Sequence, residues 1–222
     1  MGFCDEVRGE AEHIWEAIFE HPFVTGIGDG SLPLENFKFY VCQDYVFLID
    51  YSKVFALAAT KPSDPEIMGR FAQLLHETLN VEMGLHRSCA AQFGISEEQL
   101  HGTKPAAATL AYTGYLLRVA HQGTLGELSA ALLPCMWSYS DIGLRLSDRG
   151  GPEEQPYYIE WIRMYASREF ADVAAWGRGL TDKLAAQAGS EERKRMAEAF
   201  IISSKYEYMF WNMAYRMEEW PI

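Results

Sequence analysis

Basic residues are scarce in this chain: 19 Lys and Arg stand against 31 Asp and Glu, a formal charge of −12. Phosphate backbones and anionic membrane surfaces are bound by clustered Lys and Arg, which this sequence does not supply. Nucleic acid and membrane are therefore not expected as partners, and the acidity reads as solubility. Cysteine is scarce too. Cys4, Cys42, Cys89 and Cys135 form no CxxC pair and no Cys/His cluster at zinc spacing, so no metal site is expected. No apolar run approaches the roughly 18–20 residues of a membrane span. No basic stretch leads into an apolar one at the start, and Glu6 stands where a myristoylation signal wants Ser or Thr. These absences predict a reduced, cytoplasmic protein with free thiols. Strand signals are also few, with no Asn-Gly or Asp-Gly hairpin between alternating runs.

What remains is helical periodicity over nearly the whole length. Helices are expected over about 5–20, 33–60, 65–93, 104–121, 124–146, 155–165, 167–188 and 190–220, with one short turn at 96–100. Gly-rich 23–30 reads as a loop. Ser63 and Glu66 form a capping box around Pro65, and Thr124 and Glu127 form another. No linker or repeat divides the 222 residues. The expectation is an all-α, single-domain helical bundle covering residues 1–222.

Three core stripes carry a residue that the pattern would have apolar. Tyr40, Asp44, Phe47, Tyr51 and Phe55 share one helix face, with a carboxylate among aromatics. Burying such a group alone is costly, so Asp44 either meets a ligand or is a structural Asp paired with a local Tyr or Arg. Leu128, Leu132, Cys135, Tyr139 and Ile142 share another face. Pro134 costs about 3 kcal/mol inside a helix and is expected to bend it at the thiol. Cys135 is either a packed thiol or a nucleophile, with Tyr139 one turn on as a donor. Met196, Phe200, Ser203, Glu207, Phe210 and Ala214 share a third face. Glu207 is either half of a structural ion pair or a group that exchanges protons near neutrality.

At these residues the sequence resembles the TenA family, also called thiaminase II or aminopyrimidine aminohydrolase. The matching segments are Phe39 to Tyr45, Glu82 to His86, Leu133-Pro134-Cys135-Met136-Trp137-Ser138-Tyr139, Trp161 to Tyr165, and Tyr206-Glu207-Tyr208-Met209-Phe210-Trp211. Cys at 135 places the chain with the cysteine-bearing branch. The resemblance implies a haem-oxygenase-like fold, a homotetramer and no cofactor. It implies hydrolytic release of 4-amino-5-hydroxymethyl-2-methylpyrimidine in thiamine salvage, from aminomethylpyrimidine or from thiamine. It makes Cys135 the nucleophile, Glu207 the proton donor and Asp44 the acceptor for the aminopyrimidine edge. Tyr139, Tyr165, Tyr112 and His86 match pocket residues. Phe47 departs from the pattern, standing where relatives carry Tyr. It cannot donate a hydrogen bond, and Tyr51 one turn on is the available substitute.

Two other classes compete. A non-catalytic pyrimidine or thiamine binder would need the same pocket without turnover. A haem or di-iron protein would use His13, or the spacing Glu10-x-x-His13 repeated at Glu98-x-x-His101. Cys42 and Cys89 read as packed thiols and Cys4 as a frayed terminal one. Trp15, Trp176 and Trp220 read as core or interface aromatics.

Overall fold

Proline marks where several helices begin in the computed structural model, which describes residues 2–152 and 154–221. Pro22, Pro65 and Pro156 occupy first helical turns, where a missing N–H costs nothing, and Pro33 is the N-cap of the helix that follows it. The elements are α1 (Phe3–Glu10), α2 (Glu12–Phe19), α3 (Pro22–Asp29), α4 (Leu34–Ala59), α5 (Pro65–Glu77), a π-helical turn (Thr78–Glu82), α6 (Met83–Gln92), α7 (Glu97–His101), α8 (Ala107–Gln122), α9 (Leu125–Asp148), α10 (Pro156–Tyr165), α11 (Arg168–Gln187) and α12 (Ser190–Arg216). No strand occurs among the described residues. The chain forms two compact units, residues 1–32 with 126–215, and residues 33–125 with 216–222.

In the first unit Trp15 is wholly buried. Its ring stacks on Phe200 at 6.0 Å and meets Trp137 at 5.2 Å, and its Nε1 donates to Ser204 Oγ. The Arg8 guanidinium covers it at 4.3 Å, an attraction between cation and π face. Cys4 corrects the expectation of a frayed terminus. It is buried, its amide donates to Asp182 Oδ1 at 2.8 Å, and α1 packs on α11.

The stretch expected to be a loop at 23–30 is helix α3. His21 caps it by accepting from the Phe23 amide. Gly28 is there for closeness: a Cβ would lie 2.6 Å from Leu146 Cδ2. Gly143 in α9 is tighter still, since a Cβ there would lie 2.4 Å from the carbonyl carbon of Tyr165. That contact presses α9 against the end of α10.

In the second unit α4 is buried over most of its length and packs against α5, α6 and α8, which makes it central. Gln43 fixes the entry to α8. Its Oε1 accepts from the Ala106 amide and from Thr109 Oγ1, and its Nε2 donates to the Lys104 carbonyl.

Several boundaries differ from expectation. The first helix breaks at Ala11, two residues after Gly9, a poor helix former. Asp64, not Ser63, caps α5, accepting from the Glu66 amide. Helix α12 ends at Arg216 and Met217 adopts φ 48°, so Trp220 lies outside it.

The π turn has the largest consequence. Phe71, Leu74 and Thr78 are buried at α-helical spacing. The next buried residue is Met83, five on, and His86 and Ala90 follow. The turn adds one residue and rotates the later stripe, so that His86 rather than Leu85 faces inward. Gly143→Ala is expected to destabilise the protein by about 3 kcal/mol, because backbone rather than a flexible side chain blocks the methyl. A thermal melt should show the midpoint lowered by about 6–12 °C. An unchanged midpoint would contradict the close approach.

Candidate active site

In the second unit the α4 stripe is buried as its spacing requires: Tyr40, Asp44, Phe47, Tyr51 and Phe55 are all shielded. Asp44, only 4% exposed, meets two polar groups on one oxygen. Tyr40 OH donates to Oδ2 at 3.2 Å and His86 Nε2 lies 2.7 Å from the same atom. Oδ1 accepts no hydrogen bond from any described residue. His86 Nδ1 lies 2.9 Å from the Glu82 carbonyl. Burial pushes the His86 pKa down, but the hydrogen bond and charge of Asp44, followed by Glu82, more than offset this and hold it above the ordinary value.

Beside this pair lies an aromatic group. Phe47 stacks on Tyr51 at 5.3 Å and meets Tyr112 at 5.1 Å. Tyr51 meets Phe55 edge-on at 4.6 Å. The unit thus brings Asp44, His86, Phe47, Tyr51 and Tyr112 together. Tyr40 was on the stripe and missed as a site residue, although its place one turn before Asp44 already put its hydroxyl within reach. A cavity of about 750 Å³ also lies in this unit, lined by Phe39, Cys42, Lys104 and Trp220 among others. None of the expected site residues lines it.

In the first unit α9 runs unbroken through Pro134, so the expected bend does not end the helix. Proline offers no N–H to the carbonyl one turn back, that of Ala130. Cys135 and Cys42 are half-buried, so Cys42 is less packed than expected, whereas Cys4 and Cys89 are buried. One turn on, Tyr139 joins an aromatic cluster: Tyr165 at 4.8 Å, Trp211 at 4.9 Å and Trp161 at 5.9 Å. Trp161 and Tyr165 also touch, at 4.6 Å. Trp161 and Trp211 were missed as cluster members, yet each is one turn from an expected residue, Tyr165 and Glu207.

Glu207 is buried on α12, one turn before Trp211. Helices α9 and α12 run the same way. Gly126 lies against Met196, Trp137 near Phe200, and Tyr139 against Trp211. Cys135 and Glu207 therefore each stand one turn before the Tyr139–Trp211 contact. This places a thiol and a buried carboxyl at the same level of two parallel helices.

The metal alternatives lose their donors. Glu10 and His13 are exposed and sit on separate helices, and Glu98 and His101 are exposed on α7. Among the described residues no three His, Cys, Asp or Glu side chains are grouped to share an ion. No helix is long and apolar enough to cross a membrane, again among the described residues.

The family described as TENA/THI-4/PQQC matches residues 8–217. The aminopyrimidine aminohydrolase of Halalkalibacterium halodurans is 47% identical over 220 residues, covering 99% of this chain and 98% of that protein. The TenA homologue from P. horikoshii OT3 superposes with a TM-score of 0.90 at 32% identity, covering 98% of this chain and 100% of that one. A domain with a haem-oxygenase-like fold from Shewanella denitrificans superposes with a TM-score of 0.74 at 15% identity, covering 96% of this chain and 92% of that one, a likeness of fold alone. The fold is all-helical and haem-oxygenase-like, and the chain belongs to the TENA/THI-4/PQQC family.

Proposed function

We propose that this chain hydrolyses aminopyrimidines to 4-amino-5-hydroxymethyl-2-methylpyrimidine, serving thiamine salvage. The observation that carries the reading is kinship at 47% identity, over nearly the whole of both chains, with an aminopyrimidine aminohydrolase. Asp44 supports it independently. A nearly buried carboxylate with one oxygen accepting from Tyr40 and near His86, and the other open, suits the exocyclic amino group of such a ring. Phe47, Tyr51 and Tyr112 supply aromatic faces for a flat heterocycle.

In this reading Cys135 is the nucleophile. Its thiolate adds to the ring carbon next to the substituted one, and a proton goes to the ring nitrogen. The 4-amino lone pair then expels the amine or thiazole from the exocyclic methylene. Glu207 gives the leaving group its proton and takes one from the water that adds to the methylene. Loss of the thiolate restores the aromatic ring. Asp44, accepting from the amino group, favours the positive charge that develops on it. Tyr139 and Tyr165 position the ring. Phe47 stacks without donating, so the thiolate takes no hydrogen bond from that position.

The whole chain acts as one domain, since the family match runs from residue 8 to 217 through both compact units. The assembly is a homotetramer and the compartment is the cytoplasm. Leu79 and Val81, apolar and 41% and 63% exposed, are side chains that a subunit contact would cover.

Incubation with aminomethylpyrimidine, its formylated form and thiamine in parallel should release hydroxymethylpyrimidine, read by chromatography. Tight binding of all three without release would instead favour a pyrimidine-binding protein. Asp44→Ala should weaken hydroxymethylpyrimidine binding about 10- to 100-fold by calorimetry, the value of a hydrogen bond to a charged acceptor. Unchanged affinity would remove Asp44 from the site.

A further inference from the structure

The imidazole of His86 lies between two acceptors. A backbone carbonyl can only accept, so the 2.9 Å contact with Glu82 requires the proton on Nδ1. In the neutral ring this leaves Nε2 a bare lone pair, facing a carboxylate oxygen at 2.7 Å. Two acceptors at that distance repel, so a further proton must lie between them. It sits either on the carboxyl of Asp44 or on the ring.

Two features place it on the ring. Oδ2 also accepts from Tyr40, so it already carries a donor suited to an ionised oxygen. Burial disfavours either charge alone, but with side chains 4% and 6% exposed it also leaves the attraction between the two weakly screened. Helix α6 packs on α4, the π turn and α7. The charges acting on the ring are Asp44 from α4 and Glu82 from the π turn, both negative. The titratable groups of α7, Glu97, Glu98 and His101, are exposed.

We infer that His86 is a positioning residue which stands as an imidazolium, fills Oδ2 of an ionised Asp44, and leaves Oδ1 as the acceptor offered to the amino group of the ligand. The inference rests on the proposed aminopyrimidine reading for the identity of that ligand. The π turn is the device that brings the ring inward. The raised His86 pKa agrees with it. A raised value also sets the sign of the pH response. The proton is held below the folded pKa and lost as pH rises through it. Asp44 then loses its charged donor, and pyrimidine affinity falls on the alkaline side only.

The test uses the full-length chain with its histidines labelled by ¹⁵N. There are 6 of them, and His86 is assigned by the signal missing from His86→Gln, or from His86→Asn if Gln does not fold. At pH 7.5 both ring nitrogens of His86 should report bound protons. The Kd for hydroxymethylpyrimidine should rise about 10-fold through the pH at which that signal titrates. In His86→Gln the Kd at neutral pH should be about 10-fold weaker, its alkaline limb should vanish, and KM should change more than kcat. An unprotonated Nε2 in the wild-type chain at pH 7.5 overturns the inference, as does a His86→Gln variant with wild-type Kd and limb. A wild-type chain that binds no hydroxymethylpyrimidine would instead overturn the proposed activity, while the nitrogen signals still decide the state of the pair.

Discussion

Asp44 is the constraint around which the second unit is organised. A carboxylate in a helical interior costs several kcal/mol unless its oxygens are matched. Here the match comes from two places: Tyr40, one turn back on the same helix, and His86, 42 residues away. The second is reached only because the π turn adds a residue before α6 and turns His86, not Leu85, towards α4. Tyr40, Phe47 and Tyr51 on the same helix face shield Asp44. They also leave the carboxylate with a single unfilled oxygen. The arrangement is polar at Asp44 and apolar around it.

The first unit solves a different problem, the close approach of helices that carry large rings. Gly143 lets α9 touch the backbone at the end of α10, which holds Tyr165 against Tyr139. Trp161 and Trp211 complete the cluster. The parallel run of α9 and α12 then sets Cys135 and Glu207 level with one another, one turn below the same ring contact. Cys135 keeps partial exposure, whereas Cys4 and Cys89 are packed away. A thiol that is to act must remain reachable, a condition that Cys42 meets as well, so exposure alone does not single out Cys135.

Much of this was legible in the chain. The limits of α4 followed from Pro33 and the end of the apolar run, and its buried stripe followed from steps of four and three. The stripes of α9 and α12 were equally readable. What escaped was decided by partners far along the chain. Gly26 and Gly28 suggested a loop at 23–30, but Leu146 needs the space beside Gly28 and the segment is helical. Cys4 looked terminal and loose, but Asp182 fixes its amide. The π turn has no local signature in Thr78–Glu82, so the pairing of His86 with Asp44 could not be read from periodicity. Periodicity suggested a structural Asp and a ligand-binding Asp as alternatives. Asp44 has the local tyrosine of the first and the open oxygen of the second.

The central claim is the proposal that Cys135 is the nucleophile. The most direct measurement compares Cys135→Ser with the wild-type chain, recording both hydroxymethylpyrimidine release from saturating aminomethylpyrimidine and the Kd for hydroxymethylpyrimidine. The account predicts release lowered at least about 1000-fold, about 4 kcal/mol of transition-state stabilisation, with the Kd within a few-fold of wild type. Release at the wild-type rate by Cys135→Ser would contradict it.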